Sequence, residues 1–406
     1  LPFKSVWPDL ANQIFSGVPL ITSFIVILGS LTLGSTLIHI IDKRLDLPKI
    51  SWEHIIAGLF VLWIGLSHFG SINEYVDGRV WFWTYIQLLS LMVLSTILIT
   101  SVDYAKIFAY ALIFGTLISV VGGFLSEGFE ISQEASFSIR LAGLHGNPNE
   151  FAIMCIISLI CLNYIVPSLQ NKTARILGYA LIPFMFFGLA FSISRTGLIA
   201  AILVTTIMVV LKFRIKFSNL LIKSTPITMF VFGFIVLVTI LPSQYRDLWF
   251  GSIYHEVSNQ SGTTGVRFEI WRISIDAFKK HPITGIGMGN FKEYAENEWS
   301  LEYRDQIKRA SHNTYLGILS EAGLVGLSLF LFFNIPILLK LLSRSKTRGM
   351  TIGYENVSYM LFLILIVWAT FGFFSNGEYG KLLWLVNGAA LGMLNTIHTN
   401  ATPETT

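Results

Sequence analysis

Long apolar runs separated by short polar stretches set the rhythm of this chain. They fall near residues 18–41, 54–70, 81–100, 104–125, 150–167, 174–192, 195–211, 225–242, 313–340, 357–375 and 382–397. Runs of about 18 or more apolar residues with few charges read as membrane-spanning helices. Pro19, Gly29 and Gly34 interrupt the first run, so residues 8–41 hold one tilted span or two short ones, and the total is eleven or twelve. The pattern from Leu181 to Leu211 is almost unbroken, and a single helix there would overshoot a hydrocarbon core of about 30 Å. A tight break at Ser192–Gly197 is predicted instead. Between 243 and 312 the apolar pattern lapses into the longest polar stretch of the chain. Inside it Val266, Ile270, Ile273 and Ala277 recur at helical spacing, beside Trp271 and Phe278, which predicts an amphipathic helix lying at a membrane interface. Pro282 ends that helix, and Gly285, Gly287 and Gly289 predict a flexible turn. The expected division is a transmembrane bundle over 1–242, a polar loop over 243–312, C-terminal transmembrane helices over 313–399 and a disordered tail over 400–406.

Composition strengthens the reading. Hydrophobic residues make up 53% of the chain and charged residues 13%, against about 25% charged in soluble domains. The fold class is therefore an all-α polytopic membrane protein. A net charge of +4 gives no footprint for nucleic acid. Lys43, Arg44, Lys49, Lys172, Lys212, Arg214, Lys216, Lys223, Lys340, Arg344, Lys346 and Arg348 fall in one set of loops; the alternate set holds only Arg79, Arg140, Arg195 and Lys381. The positive-inside rule turns the first set to the cytoplasm and the 243–312 loop outward. Cys155 and Cys161 lie about 240° apart on one apolar segment, which suits buried, inert thiols. No zinc spacing, nucleophile elbow or Asp-x-Asp pair is present, and Glu296-Asn-Glu298 reads as a solvated face. The Gly-x-Gly run of 285–289 lacks the strand and helix context of a nucleotide fingerprint.

Unusual polar residues gather on the outer side: Arg140, His145, Asn147, Asn149, Arg195, Arg267, Arg272 and His312. In RLAGLHGNPNEFA, Asn147 is placed as N-cap, Pro148 as first helical residue and Glu150 at the third. That is a well-capped helix whose N-terminus also favours an anion. Arg195 sits in SISRTG at a membrane boundary without an acidic neighbour: a snorkelling side chain or a functional charge. In SHNTYLGILSEAGLVG, Ser311 is a candidate cap that would leave His312 in the first turn, where the dipole favours neutral imidazole and hence a proton acceptor. The bland alternative is an interfacial histidine with no task. Glu321 would lie about 13 Å further along a straight helix and needs a partner there. Arginines, helix N-termini and one base suit a phosphorylated, lipid-linked substrate and a hydroxyl acceptor.

The ordered set GNPNEFA, SRTG, G-x-R with Trp four residues on, P-x-x-G-x-G-x-x-x-F and SHNTYL-x-x-L-x-E-x-G-x-x-G, over about 140–326, resembles the O-antigen ligase family. Its superfamily also holds polysaccharide polymerases that use the same carrier. The resemblance implies a GT-C-type glycosyltransferase of the bacterial inner membrane with its active site facing the periplasm. It implies a glycan donor on undecaprenyl diphosphate, lipid A–core or another glycan as acceptor, membrane lipid around it, and neither metal nor cofactor. Carried over, His312 is the general base and Arg195 and Arg267 bind the diphosphate. Arg140, Asn147, Asn149, Arg272, Asn313 and Glu321 stand as supporting candidates. The alternatives are a repeat-unit polymerase and, in another class, a lipid-linked glycan transporter, for which Glu321 is the one favourable feature.

Overall fold

The structure, a computed structural model, describes residues 14–15, 18–19, 50–67, 78–127, 141–213, 263–298, 311–345 and 353–400. These residues hold the helices α1 (Trp52–Ser67), α2 (Gly78–Leu98), α3 (Val102–Glu127), α4 (Pro148–Ile165), α5 (Lys172–Phe191) and α6 (Arg195–Phe213). They also hold α7 (Thr263–Lys280), α8 (Phe291–Glu298), α9 (Thr314–Arg344), α10 (Tyr354–Gly372) and α11 (Lys381–Asn400). Two-residue strands β1 (Ile14–Phe15) and β2 (Val18–Pro19) pair antiparallel, Ile14 opposite Pro19. The protein is thus an all-α polytopic membrane protein apart from that short ladder. Six helices among the described residues are long and apolar enough to cross a bilayer: α2, α3, α4, α5, α9 and α10; α1 and α6 are apolar but shorter. The predicted span at 225–242, most of that at 18–41, Arg140 and the tail beyond 400 lie outside the described residues.

Contacts divide the chain into two compact units, each discontinuous in sequence: 1–48, 101–242 and 346–363 in the first, 49–100, 243–345 and 364–406 in the second. In the first unit α4 is the core element, and α3, α5 and α6 pack on it. Its side chains from Phe151 to Leu162 are almost all buried. Glycine permits the close crossings: a Cβ on Gly197 would lie 2.6 Å from Ala152 Cβ, and one on Gly188 would lie 2.9 Å from Cys155 Sγ. Small residues at helix contacts matter in lipid, where tails are as apolar as leucine and association rests on packing. Ser158 Oγ donates to Thr116 Oγ1 at 2.7 Å, joining α4 to α3. Cys155 and Cys161 are free and buried, as their spacing suggested.

In the second unit α1 packs on α9, and α2 on α11. Gly388 and Gly392 bring α11 against backbone carbonyls of α2 and the residue after it, Met92, Thr96 and Ile99. An aromatic cluster fills the centre, with Phe60 edge-on to Tyr85 at 5.5 Å and Phe333 tilted on Trp384 at 5.5 Å. Such ring pairs contribute about 0.5–1.5 kcal/mol beyond area burial.

Candidate active site

Asn313 caps α9: its side chain accepts from the backbone N–H groups of Tyr315 and Leu316, each at 3.0 Å. Ser311 is not the cap, and His312 lies just outside the helix rather than in its first turn. The reason is a tertiary anchor. His312 takes a left-handed backbone, φ 49°, and its N–H donates to Asn376 Oδ1 at 2.8 Å. Asn376 belongs to the polar connection between α10 and α11, which meets the start of α9 at several points. Thr314 N–H donates to the Ser375 carbonyl at 3.0 Å. Gly377 N–H donates to Thr314 Oγ1 at 2.7 Å, and Asn313 Nδ2 to the Phe373 carbonyl at 3.2 Å. The half-buried imidazole is therefore carried on backbone held from both sides.

Below that loop α9 is not straight. Gly323 has φ 68° and ψ −169°, and the helix breaks there. A break frees backbone groups that hydrocarbon cannot satisfy, and the 282–289 segment supplies partners. Ile286 N–H donates to the Ser320 carbonyl and Gly287 N–H to the Glu321 carbonyl, both at 2.9 Å; Leu324 N–H donates to the Pro282 carbonyl at 2.9 Å. Trp63 Nε1 of α1 donates to the Ala322 carbonyl at 2.8 Å. The Glu321 carboxylate completes the joint: its Oε1 accepts from Gly289 N–H and Phe291 N–H, each at 3.0 Å. The glycine-rich segment is thus not a loose turn but a plug seated in a broken helix. Gly285, at φ 70°, shows why glycine is needed, since a Cβ there would overlap the Glu321 backbone. Gly289 likewise lies against the Trp81 indole, which in turn packs on Tyr379 of the 373–380 connection at 5.8 Å.

Arg267 stands half-buried on α7, one turn before Trp271. On α7, Ile270, Ile273 and Ala277 form one buried cluster with Ile286, Phe291 and Ala295, and Trp271 packs against it. Tyr294 clips α8 to α7 by donating to Asp276 Oδ2 at 2.8 Å, while Lys280 pairs with the same carboxylate at 2.9 Å. Those partners hold the Asp276 carboxyl below its ordinary range. Arg272 is an exposed side chain paired with Glu269 one turn back, and such surface pairs contribute little.

In the first unit two motif loops meet. Asn147 caps α4 by accepting from Asn149 N–H at 2.9 Å, with Pro148 as the first helical residue. Asn149 Oδ1 accepts from Ser194 Oγ at 2.7 Å. Ser194 in turn accepts Gly197 N–H at 3.0 Å, at the start of α6, whose first residue is Arg195. The break predicted at Ser192–Gly197 is shorter in the structure, Ser192 to Ser194, because α6 already begins at Arg195, and Ile193 within it has φ 46°. His145 is an anchor: Nδ1 lies 2.9 Å from Ser119 Oγ, and burial lowers its pKa to about 4.

Sequence reading singled out neither Ser194 nor the pair Asn376 and Glu378. A signal existed for Glu378, which is the only acidic residue between Glu355 and Glu404 and sits in a short polar connection between two apolar helices. Among the described residues no group of three or more His, Cys, Asp or Glu side chains is placed to hold a metal ion. Residues 180–331 match a family model described as O-Antigen ligase, a stretch that includes Arg195, Arg267, His312 and Glu321. No curated protein matches the chain.

Proposed function

We propose, from the match of residues 180–331 to a family model described as O-Antigen ligase, that this chain transfers a glycan from undecaprenyl diphosphate to a hydroxyl of lipid A–core at the periplasmic side of the bacterial inner membrane. His312 is the general base that takes the acceptor hydroxyl's proton. Arg195 and Arg267 bind the diphosphate and stabilise it as it leaves. Guanidinium forks match phosphate oxygens, and their attraction grows as the charge separates in the transition state. Attack of the acceptor oxygen on the anomeric carbon breaks the bond to the diphosphate in one displacement, which inverts that carbon. The chemistry asks for no metal or cofactor.

One observation carries the reading. Among the described residues, only Ile193 and His312 are non-glycine residues with positive φ; the first lies two positions before Arg195 and the second is the candidate base. Left-handed backbone at such residues costs on the order of 1–3 kcal/mol and persists where surrounding structure imposes it, commonly at functional sites. The transporter alternative loses its one support, because the Glu321 carboxylate is engaged by Gly289 and Phe291 N–H groups rather than reserved for cargo. The repeat-unit polymerase remains the second reading, since it shares the family's donor. Purified protein given a lipid-diphosphate glycan with and without lipid A–core separates them. Product only with the core supports the ligase, lengthening of the carrier-bound glycan alone supports the polymerase, and no product with either contradicts both.

A further inference from the structure

The base of the proposed reaction is held by a side chain two residues from a buried acid. Asn376 receives the His312 N–H on Oδ1 at 2.8 Å, and its Nδ2 then faces Ser311 Oγ at 3.1 Å and Glu378 Oε1 at 3.3 Å. Ser311 spends its own proton on the Asn313 carbonyl at 2.8 Å, so both groups facing Nδ2 are acceptors. The arrangement allows one orientation of the amide: turned over, Asn376 would set N–H against N–H at His312 and oxygen against oxygen at Glu378. Glu378 is 3% exposed, and its Oε2 has no hydrogen-bond partner among the described residues. A carboxyl buried in this way costs stability that a packed apolar side chain would not. Its place is fixed on both sides, by Trp384 Nε1 donating to its carbonyl at 2.8 Å and by the Gly377–Thr314 hydrogen bond at 2.7 Å.

We propose that Glu378 is a positioning residue for His312, acting through Asn376; the inference rests on the reading of His312 as the base. The carboxyl, with Ser311 Oγ, selects the amide orientation, the amide fixes the His312 N–H, and that bond holds the left-handed backbone from which the imidazole projects. Without the carboxyl acceptor the Asn376 side chain loses one of its three hydrogen bonds, the 311–313 backbone relaxes and the imidazole leaves the acceptor hydroxyl. Displacements of about 1 Å at a reacting group cost roughly 10²-fold in rate.

The test uses the purified full-length chain, a lipid-diphosphate glycan and lipid A–core, with kcat and donor KM measured separately. Glu378→Ala is expected to lower kcat by on the order of 10²-fold with donor KM changed by less than about threefold. Glu378→Gln still offers an acceptor oxygen and recovers most of the loss. Asn376→Asp sets a carboxylate against Glu378 and loses activity as Glu378→Ala does. Adding Glu378→Gln to Asn376→Asp restores donor to acceptor with the roles exchanged, and recovers at least about tenfold. The inference is overturned if Glu378→Ala keeps its kcat while His312→Ala is inactive, if the loss lies in donor KM, or if the double variant is no better than Asn376→Asp. Should Glu378→Ala fail to fold, the exchanged pair decides alone. Activity in His312→Ala overturns the base assignment instead, whatever Glu378 variants do.

Discussion

At the scale of single residues, tertiary hydrogen bonds decide what local pattern leaves open. Ser311 and Asn313 are both good caps two positions apart, and pattern alone chose the first. The structure uses Asn313, because the His312 N–H is drawn to Asn376 and helical backbone begins only at Thr314. Asn147 was legible because its partners lie within three residues; Asn376 was not, because its partners His312 and Ser311 lie some sixty residues away in sequence, and Glu378 is tied to them through Asn376. Glu378 also makes stability depend on pH. Burial raises its carboxyl from 4.5 to about 7. The folded chain therefore binds this proton more tightly than the unfolded one. The associated stability is complete below about pH 4.5 and is lost as pH rises through about 7. Thermal unfolding midpoints should fall across that window for the wild type and stay flatter for Glu378→Gln; equal slopes would contradict the assignment. At Arg267 a lysine keeps the charge but not the fork, so Arg267→Lys should lose transfer severely, by on the order of 10²-fold. Near-normal rates would remove Arg267 from the diphosphate site.

At the scale of elements, the notable unit is the broken α9 with its glycine-rich plug. Gly323 and Gly326 lie in an otherwise apolar run. Nothing local could show that the break is filled by backbone from 282–289, so Glu321 looked like a charge needing an unnamed partner. Its partners are two backbone N–H groups, both donating to one carboxyl oxygen. Glu321→Gln keeps an acceptor oxygen and should fold nearly as well as wild type, whereas Glu321→Leu leaves both N–H groups stranded at about 1–3 kcal/mol each. Proteolysis rates of the detergent-solubilised protein at the 282–291 segment would report this, and equal protection of the two variants would contradict the plug. Gly323→Ala meets both a positive φ and the Ile283 carbonyl, and should destabilise by more than the 1–3 kcal/mol that strained backbone alone costs. The amphipathic pattern of α7 was read correctly as a helix, and the stripe of Ile270, Ile273 and Ala277 is buried against α8 and the plug, neighbours that periodicity cannot name.

At the scale of the whole molecule, the membrane class was plain from hydropathy, since spans need long apolar runs and the chain supplies them. The break between α5 and α6 followed from bilayer thickness alone. The division into two compact units was hidden, because each gathers segments from three stretches of sequence and no linker marks the boundary. His312 and Arg267 belong to one unit and Arg195 to the other. The glycosyltransferase reading stands or falls on whether His312 does chemistry. The direct measurement is glycan transfer from a lipid-diphosphate donor to lipid A–core by purified wild-type and His312→Ala protein, with thermal unfolding of both recorded in the same detergent. The account predicts equal unfolding midpoints and a loss of at least 10²-fold, the typical contribution of a general base. Transfer by folded His312→Ala at near wild-type rates would contradict it.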